Sequence, residues 1–159
     1  MASNLMELQK IKATQHVVDI IAPASLYNGH VVVLGARGTD GTYTVAAPTA
    51  VTDEGMVLIA DIGLSYEAEK MMDDKVIATG EVVRAYVPEL GNVVSIPVAN
   101  VTVTSALAVG KVVVPKASAL QMECLADFAG TEVLGFIIEK LYTKAGVSMV
   151  QLRCVRTQK

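Results

Sequence analysis

The chain has 159 residues and a formal net charge of −3, and this length suits one domain with a substantial buried core. Hydrophobic residues make up 52% of it and charged residues 18%, which excludes intrinsic disorder for most of the chain. The acidic balance argues against a protein that binds nucleic acid through phosphate contacts. The apolar residues are mainly small and branched, and their abundant valine favours strands over helices.

The N-terminal segment, residues 1–20, differs from the rest of the chain. Leu5, Leu8 and Ile11 fall near helical spacing, but the segment is too short to form a stable isolated helix. We expect an arm, partly helical, that orders against another molecule; the alternative is that it packs on its own domain as a first strand or frays. The side chains predicted to contact a partner are Leu5, Met6, Leu8, Lys10, Ile11, Lys12, Val17 and Val18.

From residue 21 onward, short apolar runs alternate with turn signals, which is typical of a β domain. The turn Asn28-Gly29 precedes a predicted strand over 30–36. Further strands are expected at 42–46, within 53–62 and, two or three of them, within 76–104. The polar stretch 64–75 is interpreted as helical or irregular, and the sequence around Cys124 is ambiguous. The chain closes with a predicted hairpin, strands 133–142 and 147–155 around a turn at 144–146.

These spacings predict an all-β fold, an antiparallel β-sandwich or barrel-like domain with an N-terminal arm and little helix. Residues 25–36 and 105–117 share a pattern of small residues, a glycine, one polar residue and three valines. The repeated pattern allows residues 21–159 to consist of two similar lobes, 21–100 and 101–159, although a strand-entry motif that recurs by chance explains it equally well.

The sequence offers no recognisable catalytic or metal-binding constellation. His16 and His30 have no second histidine at metal spacing, and His30 is interpreted as a polar residue at a strand edge. The glycines of 35–41 lack the order of a phosphate loop and predict a hairpin loop instead. Cys124 and Cys154 are expected to be buried free thiols. We therefore expect no enzyme activity, no cofactor and no metal.

Charge is unevenly distributed along the chain. Nine of the sixteen acidic residues lie between positions 53 and 89, namely Asp53, Glu54, Asp61, Glu67, Glu69, Asp73, Asp74, Glu81 and Glu89. Basic residues lie toward both ends, namely Lys10, Lys12, Lys140, Lys144, Arg153, Arg156 and Lys159. This pattern is interpreted either as a solvated acidic face or as complementary patches between subunits or toward a partner.

Three segments, 29–36, 80–97 and 134–155, resemble the small decoration proteins (cement or head-fibre-like) on the capsids of tailed bacteriophages. The central stretch carries the resemblance at Gly80, Glu81, Arg84, Tyr86, Glu89, Gly91 and Ser95. The resemblance implies a structural virion protein that binds the capsid exterior and stabilises contacts between subunits of the major capsid protein. It also implies self-association as a trimer or dimer.

Other functions remain open from the residues alone. A tail-tube or connector subunit is a second virion role, and a small trimeric nucleotide hydrolase with Asp40 as its base ranks lower. Direct nucleic-acid binding is not expected, because the chain carries a net charge of −3. Membrane insertion is not expected either, because no uncharged run of 18 apolar residues occurs and residues 1–16 hold no stretch of signal-peptide length. The expected location is the capsid exterior, after synthesis in the host cytoplasm.

Overall fold

A computed structural model describes residues 5–10, 17–61 and 76–157. These residues form an all-β protein with one short 3-10 helix at Val98–Asn100. The fold class predicted from the sequence is therefore confirmed. The strands are β1 Glu7–Lys10, β2 Val17–Ile21, β3 Val31–Arg37, β4 Tyr43–Ala46, β5 Met56–Ile59, β6 Val82–Tyr86, β7 Val93–Pro97, β8 Val101–Val103, β9 Val112–Pro115, β10 Met122–Leu125, β11 Gly135–Lys144 and β12 Val147–Arg156.

Strands β2 to β6 form a closed barrel in the order β2-β4-β3-β5-β6. All neighbours are antiparallel except β2 and β4, which are parallel. The barrel interior is filled by small branched side chains, including Val18, Ile20, Val32, Val57 and Ile59. A five-stranded barrel leaves little room inside, so a core of valine and isoleucine fits where aromatic rings would not.

The remaining strands form a seven-stranded sheet in the order β1-β7-β12-β11-β9-β10-β8. Its centre is the long hairpin of β11 and β12, which turns at Ala145 and Gly146. β10 pairs with β8 in parallel, and the other pairings are antiparallel. β1 lies at one end of the sheet and β8 at the other.

The sheet packs against the side of the barrel formed by β3 and β5. Val31, Met56 and Leu58 point out of the barrel into the same buried cluster as Val94, Ile96, Phe136, Val150, Leu152 and Cys154 of the sheet. β5 is consequently buried on both of its faces and its sequence is a continuous apolar run. In contrast, β2 and β6 alternate buried and exposed residues, because only their inner faces are covered.

Two expectations about organisation need correction. Residues 7–10 and 17–20 do not form a separate, partly helical arm, because they are strands of the sheet and of the barrel; the alternative of a first strand on its own domain is the one observed. The change of sheet also does not fall at residue 100, since β7, which ends at Pro97, already belongs to the seven-stranded sheet with the later strands. Residues 64–75 lie outside the described residues.

Most predicted strands and turns after residue 21 are confirmed, at β3, β4, β5, β6, β7, β8, β11 and β12. The two segments that share the valine pattern become β3 and β9, each entered from a glycine with positive φ, Gly29 at 88° and Gly110 at 89°. The ambiguous sequence around Cys124 forms β10.

Candidate partner-binding surface

The structure divides the predicted contact residues between the core and the surface. Met6 and Leu8 pack into the cluster between sheet and barrel, and Val18 lies inside the barrel. These three side chains therefore stabilise this chain and are not available as anchors on a partner, which corrects the prediction. Lys10 and Val17 are exposed and Leu5 is half-buried, whereas Ile11 and Lys12 lie outside the described residues.

β1 is attached to the hairpin by polar side chains on the sheet face that points away from the barrel. The Glu7 carboxylate accepts hydrogen bonds from the Tyr142 hydroxyl and the Lys144 ammonium, and the Gln151 amide donates to the Gln9 side chain. The bonds from Lys144 and Tyr142 hold the pKa of Glu7 below its ordinary value. The hydrogen bond to Glu7 raises the pKa of Lys144. Burial is the larger cause that raises the pKa of Tyr142, and the bond to Glu7 is the second.

As the end strand of the sheet, β1 pairs with β7 along one edge, and no described strand pairs with its other edge. An end strand presents backbone N–H and C=O groups to which a strand of another chain can be added. Gln9 and Lys10 on this strand are exposed. The register of β1 against β7 shifts between Leu8 and Lys10, so the pairing is regular only over Glu7 and Leu8.

A second open surface is the outer face of strands β2 and β6, called the β2–β6 face below. Its side chains are Val17, Asp19 and Ile21 on β2 and Val82, Arg84 and Tyr86 on β6. Val17 is 41% exposed and Val82 is 55% exposed. A shallow cleft of about 280 Å³ lies on this face and extends to Ala60 and Asp61.

Basic residues near the C-terminus are largely neutralised within the chain. Lys144 pairs with Glu7, Arg153 with Glu139 at 2.5 Å, and Arg156 with Glu132 at 3.0 Å. The sequence interpretation of a positively charged end is thus weakened, because each of these charges already has an intramolecular partner. Lys10 and Lys140 are exposed and lack an ion-pair partner among the described residues.

Glu132 is the most buried carboxylate of the described residues and holds the end of β12. It accepts backbone hydrogen bonds from Ala129 at 2.6 Å and Gly130 at 2.9 Å, besides the ion pair with Arg156. Burial by itself raises a carboxyl pKa, but these amide donors and the Arg156 charge hold the pKa of Glu132 below its ordinary value. Arg156 also stacks on Phe128, with its guanidinium carbon 4.2 Å from the ring centre. Glu132 is thus occupied by donors of its own chain, and the arrangement ties the end of β12 to the loop before β11.

His30 departs from its predicted role. It immediately precedes β3 but is 5% exposed, so it is not a polar residue on an open edge. Its Nδ1 atom accepts a hydrogen bond from the Tyr27 amide at 3.3 Å, and burial lowers its pKa to about 4. Composition and spacing gave no signal for this burial, and the Tyr27 ring lies edge-on to the imidazole with 5.5 Å between ring centres.

The loop 35–41 is a hairpin loop, as predicted. The Asp40 carboxylate accepts hydrogen bonds from the Thr42 amide at 3.1 Å and its hydroxyl at 2.8 Å, which lower the Asp40 pKa. Asp40 is therefore occupied in stabilising the turn between β3 and β4, and the arrangement gives no support to its role as a catalytic base.

Two of the acidic residues between 53 and 89 likewise bind their own turns. Asp53 accepts from the amides of Thr49 and Ala50, and Glu81 accepts from that of Ala78 at 3.0 Å. Glu67, Glu69, Asp73 and Asp74 lie outside the described residues.

Both cysteines are buried and free, which confirms that prediction. Across the described parts of the chain, no three His, Cys, Asp or Glu side chains are grouped so as to hold a metal ion. Within the same residues, no helix is long and apolar enough to cross a membrane.

The fold and these surfaces define an all-β protein in which a closed five-stranded barrel packs against a seven-stranded sheet. No known family model matches the chain. A comparison with curated proteins finds no significant match.

Proposed function

We propose that this protein is a structural component of a tailed-bacteriophage virion that binds the outer surface of the capsid and stabilises contacts between subunits of the major capsid protein. The resemblance at residues 80–97 motivates the proposal. The observation that carries it is the exposed end strand β1, which offers to a neighbouring protein the Lys10 charge and an edge that no described strand pairs with.

The proposed contact uses the backbone edge of β1 rather than the apolar side chains expected from the sequence. Because Met6 and Leu8 are anchored in the core, β1 is presented in a fixed position and loses little conformational entropy on binding. Glu7 and Gln9 reinforce this position through the hairpin side chains. Lys10 would meet acidic groups of the capsid protein at the rim of the contact.

The residues that carry the resemblance fit this role as scaffold. Gly80 and Gly91 have φ of 84°, Glu81 accepts a hydrogen bond within its turn, and Asn92 Oδ1 accepts one from the Glu89 amide at 2.8 Å. These contacts fix β6 and β7, and β7 is the strand on which β1 lies. The shared pattern therefore supports the strand that holds the proposed contact.

Co-sedimentation with empty capsids of the same phage tests the proposal. Lys10→Glu reverses an exposed charge without touching the core, and Gln9→Pro removes a backbone N–H from the edge strand. We expect each variant to lower binding by roughly fivefold, which corresponds to a loss of about 1 kcal/mol, the upper end of the range for an exposed charge contact. Lys116→Glu, a charge reversal directly after β9, is the matched control and is expected to bind normally.

Far-UV circular dichroism and melting temperature establish that all three variants fold. Wild-type protein that fails to sediment with capsids would contradict the proposed function. Wild-type binding that survives both β1 substitutions would instead remove β1 from the contact while leaving the capsid role standing.

A further inference from the structure

The β2–β6 face is the one side of these two strands that the described residues leave open. The inner residues Val18, Ile20, Val83 and Ala85 fill the barrel. The seven-stranded sheet covers the barrel over β3 and β5, and of the β2–β6 face only Tyr86 packs partly against the cluster between sheet and barrel. Valines at 41% and 55% exposure therefore remain on a face that a partner of matching shape would cover favourably.

The register of β2 and β6 gives this face an internal symmetry. Val17 lies opposite Tyr86, Asp19 opposite Arg84 and Ile21 opposite Val82. An acid and a base are thus at the centre, with one apolar pair on each side. Asp19 and Arg84 are both exposed, and neither forms an ion pair with another described residue.

We propose that the β2–β6 face docks on the same face of a second copy of this chain. A two-fold axis parallel to the strands and midway between β2 and β6 places Asp19 of each copy over Arg84 of the other. The same axis places Val17 over Tyr86 and Ile21 over Val82, so apolar pairs flank two intermolecular ion pairs. A two-fold interface requires this kind of self-complementarity, in which residue i meets j and j meets i.

The size of the face sets the expected strength. Two strands of five residues cover roughly 17 Å by 10 Å, well below the area of a standard stable interface. The dimer is therefore weak in solution and in rapid exchange with the monomer. This inference stands independently of the proposed capsid role, because it concerns a different surface from β1.

Charge swaps test the pairing specifically. In Arg84→Asp or Asp19→Arg alone, like charges face each other across the axis, and association is lost. Combining both substitutions in one chain restores opposite charges, and so does mixing the two single variants, which form a heterodimer with both ion pairs satisfied. Sedimentation equilibrium measures the fraction of dimer in each sample. The protein concentration is raised to roughly 1 mM, because a weak dimer is populated only at high concentration.

We expect wild type, the double variant and the mixture to dimerise, and each single variant to remain monomeric. Both residues are exposed, so folding is preserved, and Lys116→Asp controls for charge reversal elsewhere. Wild type that stays monomeric, or a double variant that does not regain association, overturns the proposal. Loss of capsid binding by Arg84→Asp, together with a wild type that stays monomeric, would assign the face to another protein instead.

Discussion

The side-chain amide of Asn100 donates a hydrogen bond of 3.0 Å to the main-chain carbonyl oxygen of Asn28. Asn100 ends the 3-10 helix after β7 of the sheet, whereas Asn28 lies in the turn before β3 of the barrel. The Asn28 side chain in turn exchanges two hydrogen bonds with the backbone of Asp61, at 3.0 and 2.7 Å. This buried polar chain joins the sheet to the barrel at one defined place.

Removing the Asn100 amide is expected to loosen that junction. Asn100→Ala leaves the buried Asn28 carbonyl without this donor, which costs roughly 1–3 kcal/mol of unfolding free energy. Urea denaturation followed by circular dichroism measures the loss. Thr104→Ala, which removes an exposed bond to Glu123, should cost far less. Equal losses in the two variants would contradict a special role for the junction.

Stability should fall as the pH drops from about 6.5 to 4 because of His30. Burial lowers its pKa to about 4, so the unfolded chain binds a proton in this interval while the folded chain does not. The stability that neutral His30 contributes is fully present above pH 6.5, the pKa of histidine in the unfolded chain. On the order of 3 kcal/mol of unfolding free energy is lost by the time the pH falls below 4.

The matched variant for this effect is His30→Gln, which cannot titrate. The difference in unfolding free energy between wild type and variant, measured by urea titration at each pH, isolates His30 from the carboxylates, whose lowered pKa values act at more acid pH. A difference that stays constant from pH 7 to 4 would refute the expectation.

Gly29 is required both by its backbone angle and by its neighbour. A Cβ atom at this position would lie 2.8 Å from Cγ2 of Ile96, and φ is +88°. Gly80 has nearly the same φ, +84°, but a Cβ atom there would meet nothing within 4 Å. Both substitutions to alanine cost backbone strain of about 1 kcal/mol, and only Gly29→Ala adds overpacking of about 1–3 kcal/mol. Similar melting temperatures for the two variants would show that the contact with Ile96 is relieved at no cost.

The two thiols should be unreactive until the protein unfolds. Cys124 is fully buried, and burial raises the pKa of Cys154 to about 12, so neither supplies thiolate at neutral pH. Ellman's reagent is expected to detect no thiol in native protein and both in urea. Rapid reaction of one thiol in the native state would indicate local opening of β10 or β12.

Local patterns were sufficient to predict most strands after residue 21. β5 is a continuous run of apolar residues because both of its faces are buried. β6 alternates buried and exposed residues because one of its faces is open. This difference between the two strands is already visible in the sequence. Turn positions were equally accessible, because Gly29 and the hairpin glycine Gly146 adopt φ values that favour glycine.

Residues 7–10 and 17–20 form strands instead of the expected partly helical arm for a physical reason. Met6 and Leu8 are buried only because β1 pairs with β7, where Leu8 lies opposite Val94. Nothing within residues 5–10 encodes that distant partner. The spacing of Leu5 and Leu8 resembles helical periodicity over so few residues that strand and helix cannot be separated.

The amino-acid order alone determines where most strands lie and where the turns need glycine, because both depend on neighbours along the chain. The closure of the barrel, the burial of His30, the pairing of Glu7 with Lys144 and the exposure of the β2–β6 face arise only when distant segments pack together. Strand pairing joins residues far apart in sequence, and loop closure free energy changes only slowly with the length of the connection. Short apolar strands therefore specify that they pair, while the packing of the whole chain selects the partner.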